Sequence, residues 1–132
     1  MYLIDTSTLV NIFRDKSNIL KTKLENHIQD EAIFLTHFTQ MELLQGAKNE
    51  QEWQLLKLYL CQQDYILENP DNFVHSARIF YELRRKGLTV RSIVDCYIAQ
   101  LALRHDLILI HNDKDFETIK KICPLKTFVF DQ

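Results

Sequence analysis

Four acidic side chains stand at places where a reactive centre can be assembled. Asp5 directly follows the apolar triplet Tyr2-Leu3-Ile4, and Asp113 lies three residues beyond the apolar run Leu107 to Ile110. Glu42 sits in a helical stretch after the apolar segment Ala32 to Leu35, and Asp95 falls in the first turn of the helical pattern that feeds the Leu107 run. In an open parallel sheet, loops and helix N-termini meet at the carboxyl ends of the strands, and ligands gather there. Four carboxylates brought to one such edge repel one another unless a cation joins them. Mg²⁺ or Mn²⁺ suits the task, because hard cations take oxygen ligands and keep open water positions. Ions held this way lower the pKa of a water, orient it for in-line attack on phosphorus and offset charge on the flanking oxygens, with no covalent nucleophile.

The same acids admit a plainer reading. Thr39-x-x-Glu42 and Ser92-x-x-Asp95 both fit the capping box, in which an acid bonds back to the first amides of its own helix. Asp5 and Asp113 could likewise cap the helices that follow them.

The elements that must position these groups follow from hydrophobic spacing. Tyr2-Leu3-Ile4 reads as a buried strand, after which Thr6 and Ser7 offer N-caps for a helix carrying Leu9, Val10, Ile12 and Phe13. Residues 17 to 30 place Ile19, Leu20, Leu24 and Ile28 near helical spacing, and Ala32 to Leu35 form a second strand. Thr36 or Thr39 caps a helix through Met41, Leu43 and Leu44 that stops at Gly46; Glu50 to Gln62 form another, with Trp53, Leu56 and Leu60 inward. Tyr65-Ile66-Leu67 is a third strand candidate, and a long helix runs from Pro70 to Gly87. Ser92 opens a helix with Val94, Ile98, Leu101 and Ala102 on one face. A strand over Leu107 to Ile110, a helix over 115 to 122 and a strand over Phe128 to Phe130 complete the chain. Strands alternating with helices imply right-handed crossovers and a mostly parallel α/β sheet covered on both faces.

Composition sets the outer limits. A chain of 132 residues buries one good core and is too short for two ordinary domains, so residues 1–132 are read as one domain. Hydrophobic residues at 46% beside 26% charged residues are the balance of a soluble globular protein. No apolar run approaches the ~20 residues that a membrane span requires, and Met1-Tyr2-Leu3-Ile4-Asp5 lacks the basic lead of an export signal. Cys61, Cys96 and Cys123 match no zinc or redox spacing and are expected as reduced thiols in a cytoplasm. Sixteen basic against 18 acidic residues give a formal charge of −2, so a nucleic-acid partner would have to be gripped locally.

Four segments in order carry a family resemblance: Asp5-Thr6-Ser7 straight after a strand, Thr39-Gln40-Met41-Glu42-Leu43-Leu44-Gln45-Gly46, Val94-Asp95-Cys96-Tyr97-Ile98-Ala99, and His111-Asn112-Asp113-Lys114-Asp115-Phe116. Together they resemble the motifs of PIN-domain proteins, specifically the VapC-type toxins of bacterial toxin–antitoxin pairs, over essentially the whole chain. The resemblance implies a five-stranded parallel sheet and a Mg²⁺- or Mn²⁺-dependent endoribonuclease restrained by a cognate antitoxin, releasing products with a 5′-phosphate and a 3′-hydroxyl. It implies Asp5, Glu42, Asp95 and Asp113 as the metal-binding acids, with Ser7 or Thr6 as the hydroxyl beside the first. His111 stands where such proteins often have threonine or serine, and Asn112 or Asp115 competes with Asp113 for the fourth position.

Further features bear on partners. Arg78, Arg84, Arg85, Lys86 and Arg91 are the densest basic group; they could guide RNA by phosphate contacts, or simply complement a helix C-terminus. Leu55, Leu56, Leu58, Tyr59 and Leu60 make one helix apolar on more than one face, as a homodimer contact, an antitoxin groove or ordinary core would require. Five histidines show no ligand spacing. With glycine only at 46 and 87, a P-loop, a dinucleotide fingerprint and a hydrolase elbow are absent. A housekeeping RNA-processing nuclease remains an alternative, as does a phosphoacceptor signalling domain. The latter wants an aspartate at a central strand end and a late lysine, whereas Tyr65-Ile66-Leu67 ends in Glu68-Asn69-Pro70.

Overall fold

A computed structural model describes residues 1–130. Its elements, in chain order, are β1 (Tyr2–Ile4), α1 (Thr6–Arg14), α2 (Ile19–Ile28), β2 (Ile33–Leu35), α3 (His37–Gln45), α4 (Glu50–Cys61), β3 (Asp64–Tyr65), α5 (Asp71–Arg85), α6 (Ile93–Arg104), β4 (Ile108–His111), α7 (Lys114–Ile119) and β5 (Thr127–Val129). The strands form one parallel sheet in the order β3-β2-β1-β4-β5. β1 is therefore central, with Leu3 opposite Phe34 on one side and Leu109 on the other.

Successive strand residues point to opposite faces, and each face of the sheet has its own core. Tyr2 and Ile4 of β1 join Leu9, Ile12, Leu24, Leu43 and Leu60 from α1 to α4, together with Ile110 and Phe130. Leu3 and Leu109 pack with Ile79, Leu83, Ile98, Leu101, Phe116 and Ile119 from α5, α6 and α7. The result is the expected α/β/α layering. Its near-continuous apolar strands are what a sheet covered on both faces demands.

Several local expectations shift. Thr6 and Ser7 lie inside α1, and Asp5 is its N-cap, accepting the Ser7 N–H. The α2 helix is shorter than residues 17 to 30 because Asn18 (φ 62°) and Gln29 (φ 52°) turn left-handed at its two ends. Trp53 is 37% exposed rather than inward, while Leu60 fills the core beneath α4. The third strand stops at Tyr65: Ile66 still donates to the Leu35 carbonyl, but β2 has ended there and Leu67 turns out to 79% exposure.

Gly87 ends α5 with φ of 72°. Its N–H bonds the Arg84 carbonyl (3.1 Å) and the Leu88 N–H bonds Leu83 (2.9 Å), the paired closure of a Schellman turn. An added Cβ would meet nothing within 4 Å, so substitution is penalised by backbone conformation alone. Gly87→Ala is expected to lower stability by about 1 kcal/mol, read as a fall of a few degrees in melting temperature. An unchanged melting temperature would contradict this reading of the turn.

Candidate active site

β1 and β4 deliver the centre of the site. The Asp5 N–H continues the ladder to the Ile110 carbonyl (2.9 Å), so Asp5 leaves β1 beside the end of β4. Its carboxylate is 7% exposed and Oδ2 accepts both the Ser7 N–H (3.0 Å) and the Ser7 hydroxyl (2.6 Å). Ser7 Oγ in turn accepts the Asn112 N–H (2.9 Å), which fastens the loop after β4 to the start of α1. Burial pushes the Asp5 carboxyl above its ordinary range and Asp113 pushes it further, with the Ser7 bonds opposing.

Thr36, not Thr39, caps α3 by accepting the Thr39 N–H (3.1 Å). Glu42 consequently lies beyond the first turn and cannot close a capping box. Its Oε1 instead accepts the Thr6 hydroxyl (2.9 Å), and Thr6 Oγ1 is also 3.0 Å from Thr39 Oγ1. Burial raises the Glu42 carboxyl, with Asp5 adding to the effect and Thr6 opposing it.

Ser92 caps α6 by accepting the Val94 N–H (3.1 Å), but Asp95 does not return the bond. Among the described residues its carboxylate takes no hydrogen bond. It is pushed up to about 7 by burial, then by Asp113, Asp5 and Asp115, with Arg91 opposing. Asp95, Asp113 and Asp115 bring ligand oxygens within 4.8 Å of one another.

Asp113 does cap a helix. Oδ1 accepts the Asp115 N–H (3.0 Å) at the start of α7, and Oδ2 accepts Arg91 Nη2 (2.8 Å). The Asp113 N–H donates to His111 Nδ1 (3.1 Å), which puts the ring proton on Nε2, 2.8 Å from Glu117 Oε2. His111 is thus a buried brace for the loop that carries Asp113. Asp115 is buried, and its Oδ2 accepts both the backbone N–H (3.1 Å) and Nε (3.0 Å) of Arg91. Those bonds outweigh burial and hold its carboxyl below the ordinary range.

Asp5, Glu42, Asp95 and Asp113 therefore form one electrostatic unit, with Thr6, Ser7 and the Asn112 amide among their supports and Asp115 beside Asp113. The basic group divides. Arg91 joins the acids, whereas Arg84 and Arg85 lie over the rings of Phe80 and Tyr81 on their own helix (6.0 and 5.6 Å). Sequence reasoning missed the Arg91 pairing and the His111–Glu117 contact; both join segments whose proximity only the folded chain reveals. Next to Glu42, a cavity of about 670 Å³ runs between α1, α3 and α4, apolar along Val10, Phe13, Leu55 and Tyr59 and lined also by Arg14, Lys16, Lys48 and Glu52.

A model of the PIN domain family matches residues 2–122. Ribonuclease VapC11 of Mycobacterium tuberculosis is 35% identical, the match spanning 98% of this chain and 99% of that protein. The chain belongs to the PIN-domain family, within its VapC group. Ribonuclease VapC51 of Mycobacterium tuberculosis is a more distant member, 29% identical over 92% of this chain and 86% of its own. The PIN fold extends to solved structures: VapBC2 from Rickettsia felis, bound to a DNA fragment from its promoter, superposes with a TM-score of 0.79 at 23% identity over 98% of each chain. VapBC-1 from nontypeable Haemophilus influenzae gives 0.78 at 22% identity over 99% of this chain and 98% of that one.

Proposed function

We propose that residues 1–132 form a single PIN domain acting in the cytoplasm as the endoribonuclease toxin of a toxin–antitoxin pair. Asp5, Glu42, Asp95 and Asp113 are its metal-binding and catalytic acids. The observation that carries this reading is Asp95: a half-buried carboxylate that takes no hydrogen bond among the described residues, with Asp113 and Asp115 oxygens within 4.8 Å and Asp5 close enough to raise it. An all-oxygen donor set of this charge fits Mg²⁺ or Mn²⁺ and not a softer ion. When bound, one or two such ions supply the acidity that lets water attack phosphorus near neutral pH and offset charge on the phosphate oxygens.

The chain's own groups do the placing. Ser7 orients Asp5 and ties it to the β4–α7 loop, Thr6 orients Glu42, and the first turn of α6 presents Asp95 to Asp113 and Asp5. RNA as substrate and an antitoxin as partner are supported by the VapC ribonuclease relatives and by the VapBC complexes that share the fold. The cavity beside Glu42, apolar along Val10, Phe13, Leu55 and Tyr59, suits an apolar antitoxin segment. Leu55 and Leu58 on α4, 64% and 59% exposed, are available to that partner or to a homodimer contact. No helix among the described residues is long and apolar enough to cross a membrane, and Cys61, Cys96 and Cys123 are free thiols.

Purified full-length chain incubated with total RNA should cleave it in Mn²⁺ or Mg²⁺, stop in EDTA, and recover when metal is restored. Cleavage that persists undiminished in EDTA would refute the metal centre. Cells expressing the free chain should stop growing and resume when an antitoxin is co-expressed; normal growth with soluble, free chain would refute the toxin role.

A further inference from the structure

Arg91 occupies the loop between α5 and α6, between buried Val90 and the helix cap Ser92, so its backbone is held on both sides. It reaches across to the start of α7 with three donors. The main-chain N–H (3.1 Å) and Nε (3.0 Å) both meet Asp115 Oδ2, while Nη2 meets Asp113 Oδ2 (2.8 Å). Asp115 thus spends one oxygen wholly on Arg91, and Asp113 is held by a separate arm of the same planar fork. α7 has only six residues and little length of its own to fix its direction. The loop that grips it leads directly into α6, which carries Asp95.

We propose that Arg91 and Asp115 form a latch that sets Asp113 opposite Asp95, making Arg91 a positioning residue of the metal centre and Asp115 its anchor rather than a metal ligand. The inference rests on the metal site proposed above. The Arg91 side chain is 71% exposed, and ion pairs with so exposed a partner contribute little to stability. The expected consequence of the latch is therefore geometric: a hydrogen-bonded support behind a ligand tunes metal affinity far more than it stabilises the fold.

The test is calorimetric titration of the full chain with Mn²⁺, beside its melting temperature in EDTA and its rate on RNA, for wild type, R91K, D115N and the double variant. Lysine keeps the charge but cannot span two carboxylates with a rigid fork. R91K is expected to lose about tenfold or more in Mn²⁺ affinity, with a matching fall in RNA cleavage and little change in melting temperature. D115N should show the same loss, and the double variant should be no worse than the more severe single one, because both break one latch. Losses that multiply in the double variant would overturn the proposal by making Asp115 a contributor in its own right. R91K with wild-type Mn²⁺ affinity would overturn it too, whether or not its KM for RNA rises. Wild-type chain that takes up no Mn²⁺ would remove the metal centre itself, and the latch with it.

Discussion

Asp5→Asn is expected to fold like the wild type and to cleave RNA on the order of 10²- to 10³-fold more slowly at saturating Mn²⁺. The substitution keeps the shape of the side chain and an oxygen able to accept the Ser7 N–H and hydroxyl. It removes the negative charge and turns the second acceptor oxygen into an NH₂ donor. Because Asp5 is buried and its ionised form is disfavoured there, losing that charge relieves the folded state, so misfolding is not the expected route to inactivity. Circular dichroism and a thermal melt establish the fold, and single-turnover cleavage of a defined RNA measures the chemistry. Folded Asp5→Asn protein that cuts at the wild-type rate would sink the acidic centre.

The second large effect combines lost activity with gained stability. Asp95 ionises near 7 in the folded protein, against an ordinary value near 4, so the folded state holds that proton more tightly than the unfolded chain does. Below pH ~4 the group is protonated in both states and exerts no penalty. As pH climbs toward about 7 the unfolded chain ionises first and stability falls; above about 7 the full penalty is present. Asp5 and Glu42, also raised, act in the same direction. Asp115 and Glu117 are lowered, and their opposite contribution is lost only at more acid pH, below the ordinary carboxylate range.

In EDTA at pH 8, Asp95→Asn should therefore melt several degrees above wild type. After discounting for solvent at a half-buried side chain, the gain is on the order of 1–2 kcal/mol. Acidification toward pH 5.5 should narrow the gap to roughly half, and only near pH ~4 should it close. Mn²⁺ should raise the wild-type melting temperature and move the variant less, while RNA cleavage by the variant falls by orders of magnitude. A variant no more stable than wild type at pH 8, combined with a wild-type melt indifferent to Mn²⁺, would reduce Asp95 to an ordinary first-turn acid.

Much of this centre was legible before folding because its determinants are local. An acid that directly follows a short apolar strand must emerge at that strand's carboxyl end, which locates Asp5 and, through β4, Asp113. Alternation and helical spacing likewise give the order of elements, since burial on both faces of a parallel sheet leaves a strong apolar signature. What remained hidden depends on distance. Capping patterns around Glu42 and Asp95 satisfy a local rule that the fold overrides: α3 begins earlier than Thr39, and Asp95 turns toward other acids rather than its own helix. Arg91 resembled the other basic residues near the end of α5 until the chain brought it against α7, 22 and 24 residues away. Trp53 was misplaced because an apolar side chain fits a helical stripe whether or not a neighbour covers it.

The strand order also sets a schedule for synthesis. β1, the first strand made, finds β2 early but has no neighbour on its other edge until β4 is made, more than a hundred residues later. At translation rates of ~5–20 residues per second that interval is roughly 5–20 s. Until then the Asp5 N–H lacks its Ile110 acceptor, Ser7 lacks the Asn112 amide, and Asp113 does not yet exist beside Asp5. The acidic cluster is consequently among the last parts of the fold to be completed. By contrast, α1, α3 and α4, which wall the cavity beside Glu42, are encoded entirely in the first half, so that cavity precedes the acidic cluster in order of birth.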